Sequence, residues 1–343
     1  MNKNFVLLNL FFLCLFPLFK LDSQIIETKT DPKFKVNNNL YYISKNTIFF
    51  KDYKSFFIVY NEFLKNETST LELEKWELKN NFISFRSITN KILENMAQLD
   101  TSAGINSKAI VNMVNSNANF IYFSKEDSTI NSVIENEYIG AICNQDGIFY
   151  IGKSAFRIFK DYVFENLFGN VINLKNISDS DVLNIQNNIN QNGLNIYKYR
   201  NSISNINSIA SNGPCGSFNE VSASYDKYKI KLQLYLESWP NGSNFNTYLT
   251  CGSISCRKGI QYKTKHNLTI NNIKVKLPNN TYKYFGPTSK ECGSTSASET
   301  KKCVIINSTY LGTSHYTNYK IENADIRATH RGMNNVWASF TCP

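Results

Sequence analysis

The fold of the C-terminal half follows from one stretch, YKIKLQLYLE at residues 228–237. Apolar residues occupy every second position and alternate with Lys, Gln, Tyr and Glu, which is the period of a β-strand with one buried face and one wet face. The sequence WPNG at residues 239–242 predicts a turn after the strand. The pattern therefore predicts a long surface strand whose Lys229 and Lys231 face solvent.

Shorter alternating segments continue this pattern to the C-terminus. Two of them flank Asn271-Asn272, where a hairpin or a bulge is expected. Seven or eight short strands separated by polar turns are typical of a sandwich. The fold class is predicted as α+β, with a mixed helical and β-meander N-terminal domain followed by a disulfide-stapled, all-β, sandwich-like domain.

The cysteines concentrate in this β half, which holds six of the eight. Disulfides form and persist in exported proteins, so we expect three bridges. Several connectivities are possible, and we predict Cys215–Cys342, Cys251–Cys256 and Cys292–Cys303. A zinc site made from Cys251, Cys256, Cys292 and Cys303 is the alternative, but their gaps fit poorly with the closely spaced pairs of such sites. No metal and no cofactor is predicted.

The N-terminus predicts export. Residues 1–23 combine a basic start, an apolar run over residues 5–19 and a small residue, Ser23, as in a signal peptide. The run is shorter than the roughly 20 residues that span a bilayer, although an uncleaved anchor, or a lipoprotein attached through Cys14, are alternatives. We expect a periplasmic, cell-surface or extracellular protein with no transmembrane segment in the mature chain.

Residues 24–200 predict a mixed α+β domain. Apolar residues recur at helical spacing over 56–64 and 85–96, whereas residues 100–118 lack a clear period and predict a loop. Two apolar runs flank Asp146-Gly147 and predict a β-meander around that turn, with Cys143 as a buried thiol in the first strand. Residues 201–214 have the composition of a linker to the domain at residues 215–343.

Two segments of this domain carry a resemblance. They are AICNQDGIFYIGKSAFRIF at residues 141–159 and KWELKNNFISF at residues 75–85. Both are similar to segments of uncharacterised exported proteins of the Bacteroidota, and the resemblance extends over residues 50–165. It implies a source and an exported protein, and it implies no activity and no functional residue.

Positive charge marks the β domain as a candidate binding surface. Residues 213–343 hold sixteen Lys and Arg against seven Asp and Glu, a difference of +9 in a chain of net charge +10. A basic exported domain can meet an anionic glycan, an envelope surface or another protein. Arg331 and Trp337 border a polar loop that could bind a sugar or peptide, although a turn at Gly332 explains the same residues. The predicted surface comprises Lys229, Lys231, Lys274, Lys276, Arg331 and Trp337, with the lysines forming one patch if their strands are neighbours.

No sequence motif indicates catalysis. The chain lacks a P-loop, a dinucleotide fingerprint, a His-Glu-x-x-His motif and a Gly-x-Ser-x-Gly elbow. The chain has only three histidines that could serve as a general base, His266, His315 and His330. The leading hypothesis is therefore a non-catalytic binding or structural module. The alternatives are a secreted hydrolase acting on glycan or peptide, and a surface adhesin or effector.

Overall fold

The structure, a computed structural model, describes residues 39–65, 70–99, 107–124, 128–169, 174, 193–200, 218–225, 228–258, 260–261, 266–292, 304–330 and 337–342. All of them lie within one compact unit, residues 32–343. In these ranges the chain forms a mixed α and β fold of five helices and three sheets.

The first sheet, which we call the N-terminal sheet, is covered by helices. Its strand order is β1-β2-β5-β6-β7-β8. The strands are β1 Tyr41–Ser44, β2 Thr47–Phe50, β5 Ile148–Ile151, β6 Ser154–Phe159, β7 Tyr162–Asn166 and β8 Leu194–Lys198. The helices are α1 Tyr53–Lys65, α2 Thr70–Lys79, α3 Phe85–Gln98, α4 Lys108–Ser116 and α5 Glu137–Ile142. The predicted helices at residues 56–64 and 85–96 are confirmed. The meander predicted around Asp146-Gly147 is confirmed only after that turn, where β5, β6 and β7 follow one another.

Two short helices replace predicted irregular or extended segments. The apolar run before Cys143 forms α5, because the Asn136 side chain accepts hydrogen bonds from the backbone N–H groups of Tyr138 and Ile139 and caps the helix. Periodicity does not separate a short buried helix from a buried strand. Similarly, α4 lies where a loop was predicted, and Ser107 caps it. Cys143 is a fully buried thiol as predicted, but it follows a helix instead of lying in a strand.

The remaining strands form two sheets that pack face to face. The central sheet has the order β3-β4-β12-β11-β10-β9, with β16 also paired to β11, and the outer sheet has the order β14-β13-β17-β18, with β15 paired to β13. Central strands are β3 Ile121–Ser124, β4 Thr129–Ser132, β9 Phe218–Tyr225, β10 Tyr228–Asn241, β11 Asn244–Arg257, β12 Ile260–Gln261 and β16 Val304–Gly312. Outer strands are β13 His266–Lys276, β14 Tyr282–Phe285, β15 Thr288–Cys292, β17 Lys320–His330 and β18 Trp337–Cys342.

A single apolar core joins the two sheets of the sandwich. Leu232 and Leu234 of β10 pack with Ile270 and Val275 of β13 and Ile326 of β17. The register between β13 and β17 shifts at Asn271, which confirms a bulge as one of the two expectations for the Asn-Asn pair. The predicted sandwich is therefore present.

The sandwich also shares structure with the N-terminal residues. Strand β4 pairs with β12 through Ile130 and Ile260, so the central sheet contains strands from both halves of the sequence. Trp239 and Tyr248 of the central sheet belong to the core beneath the N-terminal sheet. The predicted linker, residues 201–214, and the predicted signal peptide lie outside the described residues. The division into residues 24–200 and 215–343 stays a prediction.

The predicted disulfide between Cys251 and Cys256 is wrong. Both residues lie in β11, five positions apart, which places their Cα atoms about 16 Å from each other. A disulfide requires Cα atoms within about 7 Å, and an odd separation in a strand puts the two side chains on opposite faces. The same geometry excludes a zinc site that uses both. Cys215 and Cys303 lie outside the described residues, and of Cys292 and Cys342 only the backbone is described.

We expect Gly147→Ala to destabilise the protein more than Gly242→Ala. Both glycines have positive φ, at 75° and 63°, which costs an L-residue about 1–2 kcal/mol. A Cβ on Gly147 would also lie 2.8 Å from the carbonyl oxygen of Ile158, whereas one on Gly242 would meet no atom within 4 Å. Urea unfolding should show the extra cost, about 1–3 kcal/mol, in Gly147→Ala only. Equal losses would contradict this packing.

Candidate functional site

Strand β10 is buried on both faces, which corrects the predicted wet face. Its leucines face the outer sheet. On the opposite face Lys231, Gln233, Tyr235 and Glu237 are each at most 4% exposed, because the N-terminal residues cover them. Buried polar and charged groups are costly unless they are paired. The contacts of this face therefore decide how the fold holds together, and we call these residues with their partners the buried polar layer.

Lys231, expected in solvent, is an internal cation of this layer. Its Nζ lies 3.5 Å from Oε1 of Glu220 and 3.3 Å from Oδ1 of Asn131. Gln233 donates to the other carboxylate oxygen of Glu220 at 2.7 Å. With its side chain 1% exposed, Lys231 contributes nothing to an external binding surface.

Arg200 is the second cation of the buried polar layer. Its Nη2 lies 3.0 Å from Glu135 and its Nε donates to Asp161 at 2.8 Å. Tyr122 also donates to Glu135, at 3.0 Å. Burial by itself would raise the pKa of Glu135, but the charges of Arg200 and Lys231 outweigh it and the pKa is lowered. The pKa of Asp161 is raised by burial, with Arg200 opposing the change.

Glu237 is held by hydroxyl and amide groups. Tyr60 and Thr250 each donate a hydroxyl hydrogen bond to its Oε1 at 3.0 Å. Asn136 donates its amide to the carboxylate oxygens at 3.3 and 3.4 Å. Since Tyr60 lies in α1 and Asn136 caps α5, this one carboxyl group connects two helices to the central sheet. Burial raises the pKa of Glu237.

The solvent face of the outer sheet carries lysines beside tyrosines. Lys274 Nζ lies 4.1 Å from the centre of the Tyr282 ring, a cation–π contact. Lys276 is paired across the strands with Tyr282 on one side and with Lys320 on the other. Tyr284, opposite Lys274, is 66% exposed. We call Lys274, Lys276, Lys320, Tyr282 and Tyr284 the Lys274–Tyr282 surface.

The predicted lysines do not meet in one patch. Lys229 lies in β10 of the central sheet, whereas Lys274 and Lys276 lie in β13 of the outer sheet, so their strands are not neighbours. Arg331 lies outside the described residues. Trp337 begins β18 opposite Thr329, and only its backbone is described.

The described nucleophile and base candidates occupy structural positions. Burial raises the pKa of the Cys143 thiol well above its usual value, which keeps it inert. His315 contacts the hydroxyl of Thr317 and the carbonyl of Lys198 through its two ring nitrogens. Burial lowers the pKa of His315, with the Lys198 carbonyl opposing that effect. His266 is fully buried against the carbonyl of Ser253. These contacts give the hydrolase alternative no support.

Sequence reasoning missed Lys320, Tyr282 and Tyr284 as members of the surface. The alternation TYKYF at residues 281–285 placed two tyrosines on one side of a short strand. The sequence therefore indicated that the two tyrosines share one face. It did not indicate that their strand pairs with the strand that contains Lys274 and Lys276.

No protein-family model matches the chain, and no curated protein matches it. Among solved structures, a DUF4848 family protein from Bacteroides thetaiotaomicron is similar at a TM-score of 0.31 and 13% identity, over 88% of this chain and 99% of that chain. A likeness this distant supports no conclusion about this chain. No helix within the described ranges is long and apolar enough to cross a membrane.

We expect Lys231→Ala to destabilise the protein by about 3–5 kcal/mol, because it leaves the carboxylate of Glu220 buried without its cation. Lys229→Ala is the matched control on the same strand, two residues away and only partly buried, and should cost about 1 kcal/mol or less. Guanidinium unfolding of both variants measures the difference. Two similarly mild losses would show that Lys231 faces solvent after all.

Proposed function

We propose that the chain is an exported, non-catalytic binding protein that holds an anionic glycan on the Lys274–Tyr282 surface. The observation that supports this most is the pairing of Lys276 with Lys320. The two residues lie directly opposite each other on neighbouring strands. Like charges at such positions destabilise a sheet, so a negatively charged ligand would relieve a cost that the folded protein carries.

The charge of this surface is only partly offset from within the protein. Glu322 lies 3.7 Å from Lys274 and 3.6 Å from Lys320. One carboxylate thus serves two of the three lysines, which leaves a surplus of two positive charges. The Lys320 side chain is 52% exposed, so its ammonium group is accessible to a ligand.

The two tyrosines of this surface favour a ligand whose negative charge is carried by a sugar. Tyr282 and Tyr284 are 41% and 66% exposed and lie two positions apart on β14, so they emerge on the same side. A phenol ring offers an apolar face and a hydroxyl group together, which suits the face and the edge of a sugar ring. An extended polymer fits the open face of a sheet.

We also propose two disulfides, Cys215–Cys342 and Cys292–Cys303. Strand β9 starts three residues after Cys215 and packs against β18, which ends at Cys342. Strand β15 ends at Cys292 and packs against β16, which starts just after Cys303. These contacts favour Cys215–Cys342 and Cys292–Cys303.

Peptide mapping of the exported protein without reduction should find these two cross-links and no link between Cys251 and Cys256. Each cross-link should be lost on reduction, with a fall in stability of about 2–4 kcal/mol. If Cys215, Cys292, Cys303 and Cys342 are all recovered in alkylated form from protein that was unfolded with the alkylating reagent and without reductant, the proposed disulfides are absent.

We expect the triple variant Lys274→Ala/Lys276→Ala/Lys320→Ala to bind heparin, a sulfated glycan probe, at least tenfold more weakly. Each exposed charge contact contributes up to about 1 kcal/mol, and 1.4 kcal/mol is tenfold in affinity. Titration calorimetry of the full chain at low salt measures the loss. Tyr284→Ala should also weaken binding while leaving the net charge unchanged.

The matched control is Lys51→Ala/Lys54→Ala/Lys153→Ala, which removes the same charge from exposed positions of the N-terminal half. It should bind heparin as the parent protein does. An equal loss of heparin affinity in both triple variants would mean that binding depends only on the net charge of the protein. Stronger binding to a single-stranded nucleic acid of equal charge, with the same residue dependence, would replace the glycan as the ligand.

A further inference from the structure

Glu237 differs from the other acids of the buried polar layer in the chemistry of its neighbours. Glu135 and Asp161 both contact Arg200, and Glu220 contacts Lys231. Within the described residues no ion pair includes Glu237. Its contacts are two hydroxyl groups and one amide, although it is 0% exposed.

We propose that Glu237 is a proton-binding site, which keeps its proton in the folded protein and weakens the contact between the helices and the central sheet when the proton leaves. A neutral carboxylic acid has one donor and an acceptor oxygen. The hydroxyls of Tyr60 and Thr250 can each donate or accept, so they can satisfy both forms. Burial favours the neutral form of a carboxyl group.

The groups that face Glu237 from the surrounding elements favour the neutral, protonated form of its carboxyl group. All but one of them are neutral side chains, and burial raises the pKa of the tyrosines among them. Arg200 is the cation that favours an ionised Glu237, but its nearest contacts are Glu135 and Asp161. The facing groups are Tyr60 of α1, Asn136 at the start of α5, Tyr235 of β10, Tyr248 and Thr250 of β11, and Tyr199 and Arg200 after β8.

A chain of hydroxyl groups connects this carboxyl to the surface. The Thr250 Oγ1 atom that donates to Glu237 lies 2.6 Å from Oγ of Ser308. Ser308 lies in β16 and is partly exposed. When the proton leaves, Thr250 accepts it and passes its own hydroxyl proton to Ser308, which releases one to water. The net change is the transfer of one proton from Glu237 to solvent.

Proton binding makes the stability of this contact depend on pH in a definite direction. A carboxyl whose folded-state pKa is raised contributes stability that is complete below its usual value of 4.5. That contribution is lost as the pH rises through the folded-state pKa. Glu135, whose pKa is lowered, behaves in the opposite way, because its contribution is lost as the pH falls.

Infrared spectroscopy of the full chain tests the proposal by following the carbonyl stretch of protonated carboxylic acid with pH. Burial also raises the pKa of Asp161 and Glu77, so the contribution of Glu237 is read as a difference in band amplitude between variants. At pH values where the exposed glutamates have ionised, Glu237→Gln should lose part of the amplitude that the parent protein retains, whereas Glu135→Gln should keep it. An equal amplitude in Glu237→Gln and the parent protein would show that Glu237 ionises together with the exposed glutamates and would overturn the proposal.

Thr250→Val is a second variant that keeps the carboxyl group. It removes a hydrogen bond that favours the ionised form, so the Glu237 band should titrate at a higher pH than in the parent protein. Thermal unfolding adds an independent reading, because Glu237→Gln should gain melting temperature relative to the parent as the pH rises. An unchanged or lower titration in Thr250→Val, or a relative loss in Glu237→Gln, would contradict a bound proton. Heparin binding does not enter either measurement.

Discussion

The polar face of β10 is the constraint on which the structure depends. A strand that alternates leucine with Lys, Gln, Tyr and Glu is suited to the surface of a sheet, yet here both faces are inside. The leucine face closes the sandwich, and the polar face requires the N-terminal residues to supply Asn131, Glu135, Arg200 and Tyr60. Those contacts are charged or directional, so they fix how the N-terminal elements lie on the central sheet. A purely apolar contact would tolerate more sliding.

The charged residues of the protein differ between the buried polar layer and the outer sheet. Inside the buried polar layer, Lys231 and Arg200 are matched by Glu220, Glu135 and Asp161. The layer therefore uses acids to neutralise cations that have no access to water. Much of the chain's positive surplus must then lie elsewhere, and on the outer sheet one glutamate, Glu322, contacts two lysines, Lys274 and Lys320. Lys320 of the outer sheet faces solvent, as expected for a lysine on a strand, whereas Lys231 of the central sheet is buried.

Local patterns predicted the elements well and their neighbours poorly. The period of residues 228–237 predicted one of the two longest strands, because alternation is a property of the segment itself. The turn predicted at residues 239–242 is mostly wrong, because the strand continues to Asn241. It did not reveal what covers each face, since Lys231 and Lys274 have the same local pattern and opposite surroundings. The run before Cys143 became α5 because an Asn cap outweighed a short apolar pattern. The Cys251–Cys256 disulfide was predicted wrongly because the two residues are close in sequence. Both lie in one extended strand, which places their Cα atoms far apart.

The lysines of the outer sheet have a structural explanation that must be separated from the functional one. Edge strands carry lysine to prevent pairing with other chains, and β14 is an edge strand that contains Lys283. That residue donates to the carbonyl of Leu311 at 3.1 Å, so it has a structural role. Lys276, however, lies in β13, an interior strand between β14 and β17. Edge protection gives no reason for an interior lysine to face Lys320 across the strand pair. The like-charge pair is therefore the feature of this sheet that edge protection leaves unexplained, and it is the reason why we propose an anionic ligand there.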